Sequence, residues 1–283
     1  MKKFILFFLI IINTFIFAKD ENINISTRIV KQGGMFIVEF PKDKNYDITF
    51  KNSQIKIKSF IDGENKKALI PVHYSTPVGT YTLKISENKK VIAKKLVKII
   101  DGNFKKSYIT VDNTTAKKRS VKNMVNMISK TSEARSNPSP KKLWEGRFIY
   151  PVASLKYQKV SSPFGAMRFV NNKVSGYHSG IDFPVPIGTP LRASNSGHVV
   201  LAKKLTTTGN TIIIDHGMNV FSAYAHMSQL DVKTGDMVKK GQNIGKSGNT
   251  GFTTGPHLHF TISIGTTFVN PSLFFNHKVL EKN

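Results

Sequence analysis

His178, Asp182 and the pair His257 and His259 are the residues of this chain whose types and spacing could do chemistry. They read His-x-x-x-Asp early in the second half and His-x-His near the end. Two imidazoles and a carboxylate are what a catalytic zinc takes as protein ligands, leaving a fourth position for water. Seven of the eight histidines lie at or after position 178, and the chain has no cysteine. That distribution points to metal-assisted chemistry and away from thiol chemistry.

The local sequence says how such groups could converge. Gly180, followed by Pro184 and Pro186, argues against a helix across His178 and Asp182. In an extended segment positions 178, 180 and 182 share one face, because the side-chain period is two. Gly180 would then leave room for an ion between the two ligands. The same period puts His257 and His259 on one face and turns Leu258 to the other. Alternation from Phe221 groups Ala223 and Ala225 with it and sends Tyr224 and His226 to the opposite face. His226, bracketed by small residues at a strand end, has room to face a cleft.

The chain that must position these groups has 283 residues, which favours two domains. Residues 19–112 read as all-β, a small sandwich of immunoglobulin-like type. Short alternating runs such as Ile25 to Phe40 and Thr80 to Ile85 are separated by the turn signals Gly33-Gly34 and Pro77-Val78-Gly79. Residues 113–147 form a basic connector, with eight Lys or Arg against one acid between Thr115 and Lys142. Within it Val121, Met124, Val125 and Ile128 fall at i, i+3, i+4 and i+7, one face of a short helix, before Asn137-Pro138-Ser139-Pro140 breaks it. The connector reads either as a spacer whose helix packs on a neighbour or as an arm that touches anionic glycan or covers the active site. Residues 148–283 carry fourteen of the twenty glycines and short apolar runs between glycine turns. They read as a second, antiparallel all-β domain.

Lys2 and Lys3 before an apolar run, with Ala18 at a plausible cleavage point, read as a signal peptide over 1–18. Export without cysteines places the protein in a bacterial envelope, periplasmic or secreted. Membrane contact is expected only if that segment stays uncleaved. The formal net charge of +25 favours anionic partners. Nucleic acid as a partner rests on charge alone and conflicts with export.

The order of motifs adds specificity. Ser161-Ser162-Pro163-Phe164-Gly165-Ala166-Met167-Arg168 precedes His178-x-x-x-Asp182. Tyr224-Ala225-His226, Gly241-Gln242-Asn243-Ile244-Gly245, Gly248-Asn249-Thr250-Gly251 and Gly255-Pro256-His257-Leu258-His259-Phe260 follow. This arrangement resembles the M23 zinc metallopeptidases, the lysostaphin and LytM-like cell-wall endopeptidases, over roughly residues 148–275. The resemblance implies one Zn2+ per chain held by His178, Asp182 and His259, with His226 and His257 as catalytic histidines. It implies peptidoglycan as substrate and a D,D-endopeptidase cut of its peptide crosslinks, in wall remodelling, cell shape or separation. All five family positions are filled, which favours an enzyme over the alternative, a peptidoglycan-binding regulator that activates another hydrolase. Thr261 departs from the Glu that many relatives carry. Arg168 is expected either to hold a substrate carboxylate or to brace the fold, no oxyanion donor is identifiable beyond Tyr177 as a candidate by position alone, and His216 reads as structural. A β-domain and basic connector ahead of the catalytic half imply intramolecular regulation by the N-terminal part.

Overall fold

The computed structural model describes residues 22–51, 57–277 and 279. The expected signal segment 1–18 lies outside the described residues. In the first half, two four-stranded sheets face each other. One runs Asn24–Ile25, Met35–Pro41, Asn65–Pro71, Phe60–Asp62; the other runs Ile29–Lys31, Lys90–Ile100, Gly79–Glu87, Asp47–Phe50. Period-two alternation sends Phe36, Val38 and Phe40 from one sheet against Ile48, Leu83, Ile85 and Val97 of the other, all buried in one core.

The second half is built on an antiparallel sheet. Its strand path is Ile181–Phe183, Leu258–Ile264, Val220–Met227, Gly209–Asp215, Gly197–Leu205 and Met237–Val238, with Thr267–Val269 joined to Leu258–Ile264. One face buries Leu258, Phe260, Ile262, Tyr224, Ile212 and Ile214 beneath Trp144, Phe148 and Phe274. The opposite face carries Leu201, Ile213, Phe221 and Ala223. That second face leads to the histidines.

The connector forms two helices, α1 (Asn113–Lys117) and α2 (Val121–Ala134). Ser120 caps α2, its hydroxyl accepting from the Asn123 amide. The expected apolar face is rotated in the structure. Val121, Val125 and Ile128 are exposed, and of that set Met124 alone turns inward, with Met127 beside it. The reason lies at the helix end. Arg135 is buried, donating to Ser263 Oγ and to the Thr131 carbonyl and lying over the rings of Phe221 and Phe268. Anchoring that arginine, with Ala134 packed on the Leu201–Phe221 cluster, lays α2 along the second sheet face.

The halves are joined more closely than a linker would require. Lys106–Ile109, expected with the first domain, pairs in parallel with Met167–Val170 and extends the small sheet that ends at Tyr177. A parallel pair is what a long connection permits. Gly33, at φ +76, brings its carbonyl to the Asn270 amide at 2.8 Å. Tyr74 lies 4.9 Å from Tyr177, ring to ring.

His216 is fully buried in the second half. Its Nδ1–H donates to the Ser196 carbonyl at 2.8 Å, and its Nε2 accepts from the Ser222 hydroxyl at 2.8 Å. Burial pushes its pKa from 6.5 down to about 4. In this window the unfolded chain takes a proton that the folded chain refuses, so stability is full above about pH 6.5 and falls as pH drops toward 4. Urea melts of the wild type and His216→Asn across pH 7 to 4.5 test this. The wild type should lose up to roughly 3 kcal/mol more than the variant over that range; parallel pH profiles would exclude it.

Candidate metal centre and active site

Strand pairing, not sequence proximity, builds the centre. Asp182 on Ile181–Phe183 is the register partner of His259 on Leu258–Ile264. His178 is pinned just before that strand: its amide donates to the Ala166 carbonyl, and its carbonyl accepts from the Gly165 amide. His178 Nε2, Asp182 Oδ1 and His259 Nδ1 then meet. The three separations are 3.0 Å between His178 and Asp182, 2.8 Å between His259 and Asp182, and 2.9 Å between the two imidazoles. His178 and Asp182 are buried.

The tautomers say what this cluster needs. His178 Nδ1 lies 2.9 Å from the Pro163 carbonyl, which can only accept, so the ring hydrogen is on Nδ1. Nε2 therefore presents a lone pair to a carboxylate oxygen and to a second imidazole. A lone pair held against an anion calls for a cation between them, and two imidazoles with one carboxylate are donors that suit zinc. Among the described residues, these three form a group whose ligand atoms lie close enough together to hold a metal ion. Burial pushes His259 down to about 4, against the raising effect of Asp182, which favours the neutral form a metal requires. Burial also opposes ionisation of Asp182, but His178 and His259 hold its carboxyl well below the ordinary range. Arg168 Nη2 donates to the other oxygen, Oδ2, at 2.6 Å.

Gly180 has a different role from the one its position suggested. A Cβ there would lie 2.2 Å from the Phe260 carbonyl oxygen. The residue is glycine because the neighbouring strand's backbone passes against it, not to leave space for an ion.

His226 and His257 join the same centre. Their rings are 4.7 Å apart, His226 is 6.0 Å from His259, and His257 Nε2 is 3.9 Å from Asp182 Oδ1. Each donates Nδ1–H to a backbone carbonyl, Thr250 at 2.7 Å and Gly255 at 2.8 Å, so each turns a bare Nε2 to the cleft. Burial first, then the neighbouring His257 and His259, push His226 down to about 3. Strict alternation had sent His226 to the face of Tyr224, which is buried in the core. The structure overturns that. The register with Gly209–Asp215 shifts between Asn210 and Ile212, and His226 sits at φ +62, a conformation uncommon without glycine. The bulge swings the imidazole to the face of His259, at a cost in backbone strain.

A cleft of about 290 Å3 opens beside the centre, lined by Ser162, Arg168, Asp182, His226, Phe252 and His257, with Ser107 and Ile109 on its other wall. A second opening of about 120 Å3 is lined by His178, His226, His259 and Tyr177 and bounded by Arg119, Met124 and Met127 of the connector. Sequence reading did not find the Pro163, Thr250 and Gly255 carbonyls or the wall at 107–109. Backbone acceptors leave no mark in residue type, and Ser107 and Ile109 reach the cleft through a long-range pairing.

Residues 176–271 match the model of peptidase family M23. This domain belongs to that family. The M23 domain is 43% identical over 123 residues to the peptidoglycan DD-endopeptidase ShyA of Vibrio cholerae, 43% of this chain and 28% of that protein. It is 38% identical over 122 residues to the DD-carboxypeptidase/endopeptidase Mpg of Neisseria meningitidis, again 43% of this chain and 28% of the relative. The match thus spans under a third of those relatives' length. A crystal structure from Pseudomonas aeruginosa assigned to peptidase M23 shares the fold at a TM-score of 0.63 and 24% identity, over 89% of this chain and 96% of that one. M23 metallopeptidases use zinc, in accord with the donor set of this M23 domain.

Gly180→Ala tests the strand contact under the centre. The added methyl must part Ile181–Phe183 from Leu258–Ile264, so melting temperature should fall by several degrees, as overpacking costs about 1–3 kcal/mol, and zinc per chain should drop. A wild-type melt with one zinc bound would contradict the account.

Proposed function

We propose that this chain is an envelope zinc endopeptidase that hydrolyses peptide crosslinks of bacterial peptidoglycan, with a D,D bond as its target. In this reading residues 1–18 are a leader, 19–112 an immunoglobulin-like domain, 113–147 a connector and 148–283 the peptidase. The observation that carries it is the convergence of His178, Asp182, His259, His226 and His257 around one centre, with His178, Asp182, His226 and His257 oriented by strand or carbonyl contacts. The names of the relatives supply the substrate class.

His178, Asp182 and His259 would hold the ion. Zinc bound there lowers the pKa of water from about 15.7 toward ~7 and polarises a carbonyl. The protein's own residues do the rest. His226, kept neutral by burial, accepts a hydrogen bond from the attacking water and orients it. His257, the more accessible of the two, takes the proton as water oxygen bonds to the scissile carbonyl carbon. It returns a proton to the amine nitrogen as the carbon–nitrogen bond breaks. Mass spectrometry of muropeptides from purified sacculi tests this. Wild type should convert crosslinked dimers to monomers, and His257→Ala should lose about 10²–10⁴ in rate with zinc retained. No release by the wild type, even with α2 displaced as below, would sink the reading.

The connector regulates this site. Met124, Met127 and Arg119 stand against His178, His226 and His259, and Arg135 anchors α2 over the same sheet face. In this reading α2 restricts that opening, and lifting it raises turnover. Met124→Asp with Met127→Asp should raise turnover of the full chain at least tenfold. An unchanged rate with zinc bound would exclude latency. Truncation before residue 146 is a poorer test, because it also removes Ser107 and Ile109 from the cleft wall.

A further inference from the structure

Arg168 stands on the Met167–Val170 strand of the small sheet, and its guanidinium reaches residues outside that sheet. Its Nη2 reaches Asp182 Oδ2 at 2.6 Å and Ser162 Oγ at 3.1 Å. Ser162 Oγ in turn lies 3.1 Å from His178 Nδ1, and the Ser162 backbone bridges to Asp182, whose amide donates to the Ser162 carbonyl at 3.0 Å. One guanidinium and one hydroxyl thus touch two of the three residues assigned to the ion. The division of the carboxylate is clean: Oδ1 faces His178 and His259, while Oδ2 faces the arginine. The arginine is kept despite a buried Nε that has no hydrogen-bond partner among the described residues.

We propose that Arg168 is a positioning residue for the metal centre. By occupying Oδ2 it leaves Oδ1 alone to face the ion, fixes the carboxylate plane and offsets its buried charge. It acts through Asp182 and, by way of Ser162, through the ring orientation of His178. This role is distinct from the two expected for Arg168, a substrate clamp and a fold brace; the residue also lines the cleft. The small sheet is paired through its backbone on both sides of the Met167–Val170 strand. Groups that orient a ligand in this way typically contribute 10–100-fold to metal affinity.

The inference rests on His178, Asp182 and His259 as ligands, so the experiment separates the two. Zinc affinity of the full chain is measured by competition with a chromophoric chelator, and the cobalt-loaded protein by its visible absorption. Wild type, Asp182→Asn, Arg168→Gln and Arg168→Lys are compared, with melts of each metal-free protein. Expected are loss of binding in Asp182→Asn, a 10–100-fold weaker affinity and an altered cobalt spectrum in Arg168→Gln, and recovery of most of the affinity in Arg168→Lys. Metal-free melting temperatures of the two Arg168 variants should match. Tight zinc binding by Arg168→Gln, within twofold of wild type, overturns the inference and leaves the ligand assignment standing. Equal loss in both Arg168 variants with a parallel drop in melting temperature also overturns it, in favour of a brace. A wild type that binds no zinc overturns the ligand assignment and this inference together.

Discussion

The centre depends on the close approach of the Ile181–Phe183 and Leu258–Ile264 strands. Their pairing sets Asp182 opposite His259. Gly180 lets the Phe260 backbone pass where any side chain would collide. Everything else at the site is referred to this contact. His178 precedes it by a short span, His259 lies on its partner strand with His257 just before that strand, and Arg168 reaches it from the next sheet. Three donors within 3.0 Å of one another, one a carboxylate and one a nitrogen without its hydrogen, would repel in isolation. The apolar layer of Leu258, Phe260 and Ile262 beneath holds the strands together against that repulsion. The proposed metal site is thus formed in advance by the fold.

Backbone carbonyls do most of the orienting. Pro163, Thr250 and Gly255 each take the Nδ1 hydrogen of one histidine, so three imidazoles present Nε2 without any dedicated side chain. His226 needs more than a carbonyl. A register shift and a left-handed backbone put it on the correct face. Strain at this one residue is where the sheet departs from regular alternation, and the departure falls at the site.

The connector shows how charge and packing divide the labour. Its exposed lysines account for part of the chain's excess of 42 Lys and Arg over 17 Asp and Glu. One basic residue, Arg135, is instead buried between two phenylalanine rings and a serine. That burial chooses which side of α2 meets the sheet, and it leaves Val121, Val125 and Ile128 in solvent. Apolar spacing predicted a helix and found it; the anchoring of one arginine rotated it.

Residue type and spacing determined the β-rich class, the helix in the connector, five residues that the structure brings together, and the metal that such donors suit. They could do so because coordination chemistry demands particular side chains, and because period-two alternation is a local property of extended backbone. His257 and His259 share a face for that reason alone. The structure decided what local rules cannot reach. Arg168 was legible as a residue but not as the partner of Asp182, fourteen positions away and on another sheet. His226 was legible as a site residue, but alternation put it on the wrong face, since a bulge is set by the register of the neighbouring strand. Ser107 and Ile109 gave no signal, and Gly180 gave the wrong reason. Each of these depends on which backbone comes to lie beside which, and that is settled only when the apolar faces of the whole chain are buried together.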